Sequence, residues 1–173
     1  QNWILNHGGA VEIPMWGKFY LSVLNVYEWE GNDALLPELW KLPKWAPFHP
    51  SKYWCHNRML YLPMSYCYGH KVKAKETDLL KDLRKELYIT DYHSINWKNA
   101  RKQACEIDIF KPVSSWYKGL SHVINRYEKM HSKKLRKSAL KYVEDYIDHE
   151  DLHTRYINIG PVNQAMNSIC VWH

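Results

Sequence analysis

Between positions 40 and 68 the sequence WKLPKWAPFHPSKYWCHNRMLYLPMSYCY gathers Trp40, Trp45, Phe48, Tyr53, Trp54, Tyr61, Tyr66 and Tyr68 around His49, His56 and Arg58. Indole and phenol rings pair a large apolar face with a polar handle. Their faces also attract positive charge. Such a stretch reads either as an aromatic core packed beneath a loop or as the wall of an apolar cavity carrying a few polar groups. The second is the form that small-molecule sites take. Other chemistries find no support in the spacing. There is no phosphate loop, GxGxxG, HExxH or GxSxG pattern. His149 and His153 are four apart beside Glu150 and Asp151, which reads as a surface cluster near a helix end rather than a metal site. Cys55, Cys67, Cys105 and Cys170 are widely spaced with no CxxC, so neither a zinc ribbon nor a disulfide framework is expected. A reduced, intracellular chain fits this usage. No metal and no cofactor is expected.

Positioning these rings requires a folded body. With 173 residues, 46% hydrophobic and 24% charged, the chain has the makings of one globular domain. Nine Trp and 13 Tyr against 3 Phe depart from ordinary core usage. No apolar run approaches the roughly 18 residues of a spanning helix. The net charge of +6 falls entirely after residue 70, where basic residues interleave with acids as on the outer faces of helices. The first residue is Gln1, and an apolar pattern runs to Val171, Trp172 and His173. Both ends read as cut, so an internal segment of a longer protein is expected.

The periodicity predicts an all-α chain of helix pairs joined by short turns. Pro14 opens a helix bearing Phe19, Val23, Leu24, Val26 and Tyr27, stopped by Gly31, Asn32 and Asp33; residues 23–29 are the one stretch that could instead be a strand. Four prolines across PELWKLPKWAPFHP (37–50) predict a rigid packed loop. A helix from Ser51 carries Trp54, Arg58, Tyr61 and Ser65 until Pro63 ends or kinks it, with Gly69 as a stop. Thr77 caps a helix bearing Leu79, Leu80, Leu83 and Leu87, and Asn96 caps a short one running to about Ala104. Leu120, Val123, Ile124 and Tyr127 form one stripe. Ser132 then caps a helix with Leu135, Ala139, Leu140, Val143, Tyr146 and Ile147 on one face, and after Gly160 and Pro161 a last helix carries Val162, Ala165, Met166 and Ile169. The helix after Ser132 has Lys133, Lys134, Arg136 and Lys137 early and Glu144, Asp145, Asp148 and Glu150 late. That order opposes the helix dipole, so apolar packing is expected to hold it. Helix hairpins of this kind stack into a solenoid or close into an α–α barrel.

Six stretches resemble the oxidosqualene cyclases of the terpene cyclase/mutase family: GGAVEIPMWGKFYLSVLNVYEWEG (8–31), PELW (37–40), HPSKYWCHNRMLYLPMSYCYG (49–69), LRKELY (83–88), INWKNAR (95–101) and TRYINIGPVNQAMN (154–167). They run in order along essentially the whole chain, and WCHxRxxYLPMSY is highly specific. The PMSYCY wording is more similar to animal-type, lanosterol-forming members than to plant ones. The resemblance implies an all-α fragment, residues 1–173, of the α–α barrel inserted near the N-terminus of a two-barrel enzyme. It implies a monotopic protein on the cytoplasmic face of the endoplasmic reticulum membrane, or on lipid droplets, and (3S)-2,3-oxidosqualene as substrate. The family's acid, an Asp in an Asp-Cys-Thr-Ala-Glu stretch, does not occur in these residues. The segment alone is therefore expected to be inactive. Residue by residue, His56 matches a cavity histidine near the reacting rings and is counted with the catalytic groups. Trp16 and Trp54 match lining positions, Tyr61 the channel constriction, and Leu60, Pro161 and Val162 further lining. Asn57 departs from the Cys that many relatives carry at the constriction, which puts the gating or polarity of the channel in doubt.

The chemistry so implied suits the composition. Folding a flexible polyene through cations needs a prefolded substrate, exclusion of water and electron-rich faces that do not react. Two other readings make different demands. A non-catalytic α-helical docking module needs solvent-facing aromatics at 40–68. A nucleic-acid binder needs rings and basic charge together, whereas here the 40–68 ring cluster precedes residue 70 and the net positive charge follows it. A membrane-facing patch is expected at Tyr61 to Tyr68, with Leu62, Pro63 and Met64 exposed.

Overall fold

The computed structural model describes residues 1–112 and 114–173. Among them lie eight α-helices, α1 (Asn2–Asn6), α2 (Met15–Val23), α3 (Cys55–His70), α4 (Asp78–Leu87), α5 (Trp97–Ala100), α6 (Ser115–Met130), α7 (Lys133–Thr154) and α8 (Pro161–Trp172), with six 3-10 turns interspersed among them. No strand occurs among the described residues, which settles the 23–29 ambiguity. The chain divides into two compact units, Gln1–Asp33 with Lys71–Val123, and Ala34–His70 with Ile124–His173.

In the first unit α2 ends at Val23, four residues short of the expectation. Asn25 takes the left-handed conformation at φ 61°, and the N–H groups of Val26 and Tyr27 both turn back to the Leu21 carbonyl. Tertiary partners fix that turn. Arg84 donates to the Asn25 carbonyl at 2.6 Å, and Asn25 Nδ2 donates to the Ala74 carbonyl at 3.0 Å. Tyr27 is thereby released from the helix face into a core with Ala10, Tyr88, Tyr92 and Ala100. The Trp97 ring meets Tyr27 edge-on at 4.7 Å and Tyr88 at 5.8 Å.

Thr77 caps α4 through the Leu80 N–H and Asn96 caps α5 through the Asn99 N–H, as expected. Helix α5 stops at Ala100, earlier than expected, and that residue is buried in the Tyr27 core. Leu79 and Val123 face solvent rather than the core.

Lys18 is buried on α2 and donates to the carbonyls of Ala100 at 2.7 Å and Gln103 at 2.6 Å. Burial pulls its pKa from 10.5 down to about 8, against the pull of Asp33 and Glu12. Burial pushes the phenols of Tyr27, Tyr88 and Tyr92 well above their ordinary value of 10.0. The two effects have opposite signs. Between pH 8 and 10.5 the unfolded chain holds a proton on Lys18 that the folded chain has released, so stability rises with pH there. Above pH 10 the unfolded chain loses phenol protons that the folded chain keeps, so stability falls. The melting temperature of Lys18→Met, minus that of the parent, should therefore fall algebraically from pH 7 to pH 10. A pH-independent difference would contradict the assignment.

In the second unit Ser132 caps α7 as expected, through the Leu135 N–H. Helix α7 buries Ala139, Leu140, Val143 and Ile147, but also Arg136. Arg136 donates through Nε to Glu38 at 2.6 Å and through its terminal nitrogens to Glu128. One of the early basic residues of α7 thus has buried acids to meet, so packing is not alone in holding that end. The polyproline stretch keeps two 3-10 turns, Pro37–Lys41 and Pro50–Lys52. Trp40 is buried there, with the Tyr146 ring at 5.5 Å.

Helix α3 runs through Pro63 to His70 rather than ending at it. A proline supplies no N–H to the carbonyl four residues earlier; here that carbonyl belongs to Met59, and Asn163 Nδ2 donates to it at 3.1 Å. A Cβ on Gly69 would lie 2.6 Å from Leu140, so this glycine allows close approach of α3 and α7. On α8 the expected stripe Val162, Ala165, Met166 and Ile169 is rotated. The buried face is Asn163, Met166, Asn167 and Cys170, because the two asparagines are drawn inward to polar partners on the neighbouring helices.

Candidate cavity wall on the second unit

The aromatic stretch separates into two populations. Trp40, His49, Tyr66 and Tyr68 are core, whereas Trp45 is 80% exposed, Trp54 67% and Phe48 41%. Trp16, on α2 of the first unit, is 44% exposed. Neither Trp16 nor Trp54 is therefore packed as plain core within its unit. The expected membrane-facing patch fails: Leu62, Pro63, Met64, Ser65, Tyr66, Cys67 and Tyr68 are all buried. This stretch packs against α7 and α8 and cannot meet a bilayer. Among the described residues no helix is long and apolar enough to cross a membrane.

The start of α3 collects most of the residues singled out from the sequence. Trp54 precedes the helix, and its indole stands 4.4 Å from the His56 ring, the planes tilted 40°. His56 Nδ1 lies 3.3 Å from Cys55 Sγ. His56 and Asn57 are exposed, and Leu60 and Tyr61 are half-buried one turn on. The Tyr61 hydroxyl donates to the Leu36 carbonyl at 2.9 Å. Burial, then the neighbouring Tyr53 and Glu38, push that phenol well above the usual range. It is held as a neutral donor and cannot serve as a base near neutral pH. Pro161 and Val162 are exposed at the start of α8, and the Asn163–Met59 bond ties that end of α8 to the same stretch of α3. The structure thus gathers His56, Trp54, Asn57, Leu60, Tyr61, Pro161 and Val162 on two bonded helices of one unit. Trp16 belongs to the other.

Sequence reasoning missed a groove beside this wall. Met59, Tyr142, Tyr146, His149, Glu150 and His153 line an open depression of about 580 Å³. His149 and His153 are exposed, as expected, with their rings stacked 6.2 Å apart. No metal-binding group of His, Cys, Asp or Glu occurs among the described residues. Burial raises the pKa of Glu150, although Asn167 donates to it. The signal was present in the sequence: Tyr142, Tyr146, His149 and His153 fall at i, i+4, i+7 and i+11, one stripe of a helix.

This wall presents an indole, an imidazole, an amide and apolar side chains with no carboxylate among them. It can exclude water, shape an apolar guest and stabilise positive charge, and it carries no strong acid to start a reaction.

An all-α segment with such a wall is what a cyclase domain requires, and the chain belongs to the squalene-hopene cyclase N-terminal domain family, whose model matches residues 1–171. That domain is part of an α–α barrel, in agreement with the expected fold class. The chain is 45% identical over 172 residues to cycloartenol synthase of Dictyostelium discoideum, covering 99% of this chain and 24% of that protein. It is 44% identical over 172 residues to lanosterol synthase of Mus musculus, covering 99% and 24%. It is 43% identical over 173 residues to lanosterol synthase of Homo sapiens, covering 100% and 24%. The chain therefore spans about a quarter of the length of these relatives. The identities agree with the resemblance to oxidosqualene cyclases, and they do not separate lanosterol-forming from cycloartenol-forming relatives.

Proposed function

We propose that the full-length protein is an oxidosqualene cyclase that isomerises (3S)-2,3-oxidosqualene to a fused-ring sterol skeleton, lanosterol. In this reading the present segment supplies cavity and channel wall, and the acid that opens the epoxide comes from another part of the polypeptide. The observation that carries the reading is the match to sterol-forming cyclases over the whole chain at 43–45% identity. Lanosterol rests on the PMSYCY wording.

Trp16 and Trp54 offer ring faces to the growing cation, and an indole does so without trapping it as a carboxylate would. His56, fixed against Trp54, hydrogen-bonds near the reacting rings. Leu60, Pro161 and Val162 hold the folded polyene and keep water out, while Asn57 and Tyr61 form the constriction through which it passes. The exposure of Trp45 and Trp54, which would also suit a docking module, is then closed by the remaining polypeptide. A substrate this apolar partitions into a bilayer, which supports a monotopic position on the cytoplasmic face of the endoplasmic reticulum membrane.

The test is kinetic. In the full-length protein, Trp54→Ala should lower kcat for oxidosqualene by about tenfold to thirtyfold, the worth of a desolvated cation–π contact. Trp54→Phe should recover most of it, and His56→Ala should raise the share of incompletely cyclised products. Unchanged rates and products in Trp54→Ala and His56→Ala would remove these residues from the site.

A further inference from the structure

We infer that Asn163 is a positioning residue, which takes the place of the N–H that Pro63 cannot supply and thereby sets the channel-facing start of α3 against the start of α8. The inference rests on the cyclase reading above. Pro63 lies within α3, so the Met59 carbonyl lacks the donor that a residue four positions on would normally supply. Met59 is buried, and a buried carbonyl left unpaired is costly. The donor comes from another helix. Asn163, 1% exposed, gives one N–H to the Met59 carbonyl at 3.1 Å and the other to Asn167 Oδ1 at 3.2 Å. Its own carbonyl accepts from the Ile159 N–H at 3.3 Å. Every polar group of the side chain is therefore engaged. Asn167, fully buried, passes the connection to Asp151 at 2.9 Å on α7.

The consequence is geometric. Met59 stands between Asn57 and Leu60–Tyr61, and Asn163 directly follows Pro161–Val162. One side chain thus joins the two groups of proposed wall residues. The link from α7 to α8 that it also holds is strained: Arg155, Tyr156 and Asn158 all have positive φ, at 53°, 62° and 57°. Non-glycine residues persist in that region only when their surroundings over-determine them. The Ile159–Asn163 bond is part of that determination.

The inference makes Pro63 and Asn163 a coupled pair. Alanine at 63 brings back the N–H that Met59 lacks, and the need for Asn163 then falls. In the full-length protein, Asn163→Ala should lower kcat/KM for oxidosqualene by about tenfold, chiefly through KM, and raise incompletely cyclised products, because misplacement remote from the reacting atoms is costly. Pro63→Ala alone should stay within about twofold of the parent. The double variant should recover at least half of the loss on a logarithmic scale. Asn163→Ala within about twofold of the parent, or independent effects in the double variant, would overturn the inference. If Asn163→Ala does not fold, recovery of folded protein by Pro63→Ala supports the clamp and its absence overturns it. A folded parent that does not cyclise oxidosqualene overturns the functional reading instead. The clamp is then judged on melting temperature, where rescue supports it and additivity overturns it.

Discussion

Replacing Arg136 by Ala is expected to destabilise the second unit by about 3–5 kcal/mol, the usual consequence of removing one partner from a buried ion pair. The Arg136 side chain is 7% exposed, as is that of Glu38, and Glu128 is little more so at 17%. Arg136 grips Glu128 with both terminal nitrogens while Nε reaches Glu38. The second oxygen of Glu38 is buried with no hydrogen bond among the described residues, so that carboxylate depends on the guanidinium. The substitution leaves two acids in a place chosen for three charges. In a chain of this size the loss should lower the melting temperature by on the order of 10 °C. Arg136→Lys should recover less than half of it, since one ammonium cannot match a planar fork on two carboxylates. Adding Glu38→Gln to Arg136→Ala should recover part by removing one orphaned charge. A loss below about 1 kcal/mol for Arg136→Ala would show that water reaches these acids.

Tyr27→Ala should destabilise the first unit by a comparable amount, about 3–5 kcal/mol, as for other buried aromatic side chains cut to Ala. The ring is fully buried against Trp97, Tyr88 and Tyr92. A Cβ on Gly31 would lie 2.4 Å from it, so the glycine leaves just the room the ring takes. The hydroxyl donates to the Gly31 carbonyl at 3.3 Å, a long bond, so Tyr27→Phe should cost about 1 kcal/mol or less. The difference between the two variants separates ring packing from hydrogen bonding in urea denaturation. Equal losses in both would mean that the hydroxyl, not the ring, holds this core.

What the sequence made legible follows from the range of each interaction. Thr77, Asn96 and Ser132 were readable as caps because a cap is a bond between a side chain and a backbone three residues away. The end of α2 was not, because Asn25 turns left-handed for the sake of Arg84 and Ala74, distant in sequence. Arg136 looked like one more solvated charge, since nothing local announces Glu38 and Glu128. The rotation of α8 had the same origin. Val162 and Ile169 fit an apolar stripe, but Asn163 is drawn inward by a carbonyl that a proline one hundred positions earlier leaves open, and Asn167 by Asp151. Pro63 was readable as a disturbance of α3, though not the remedy for it. The wall residues were legible through the WCHNRMLYLPMSY wording. That Trp54 faces outward is not a matter of composition, and the sequence pattern serves equally well for a buried indole.

On the proposed function, these exposed rings belong to a chamber in which a linear epoxide is closed into fused rings. Incubating the purified full-length protein with (3S)-2,3-oxidosqualene and separating the lipid products by gas chromatography with mass detection tests it most directly. The expected result is one dominant tetracyclic alcohol of the same mass as the substrate, co-migrating with lanosterol. Recovery of the unchanged epoxide, or of its hydrolysed diol, from a protein shown to be folded would contradict it.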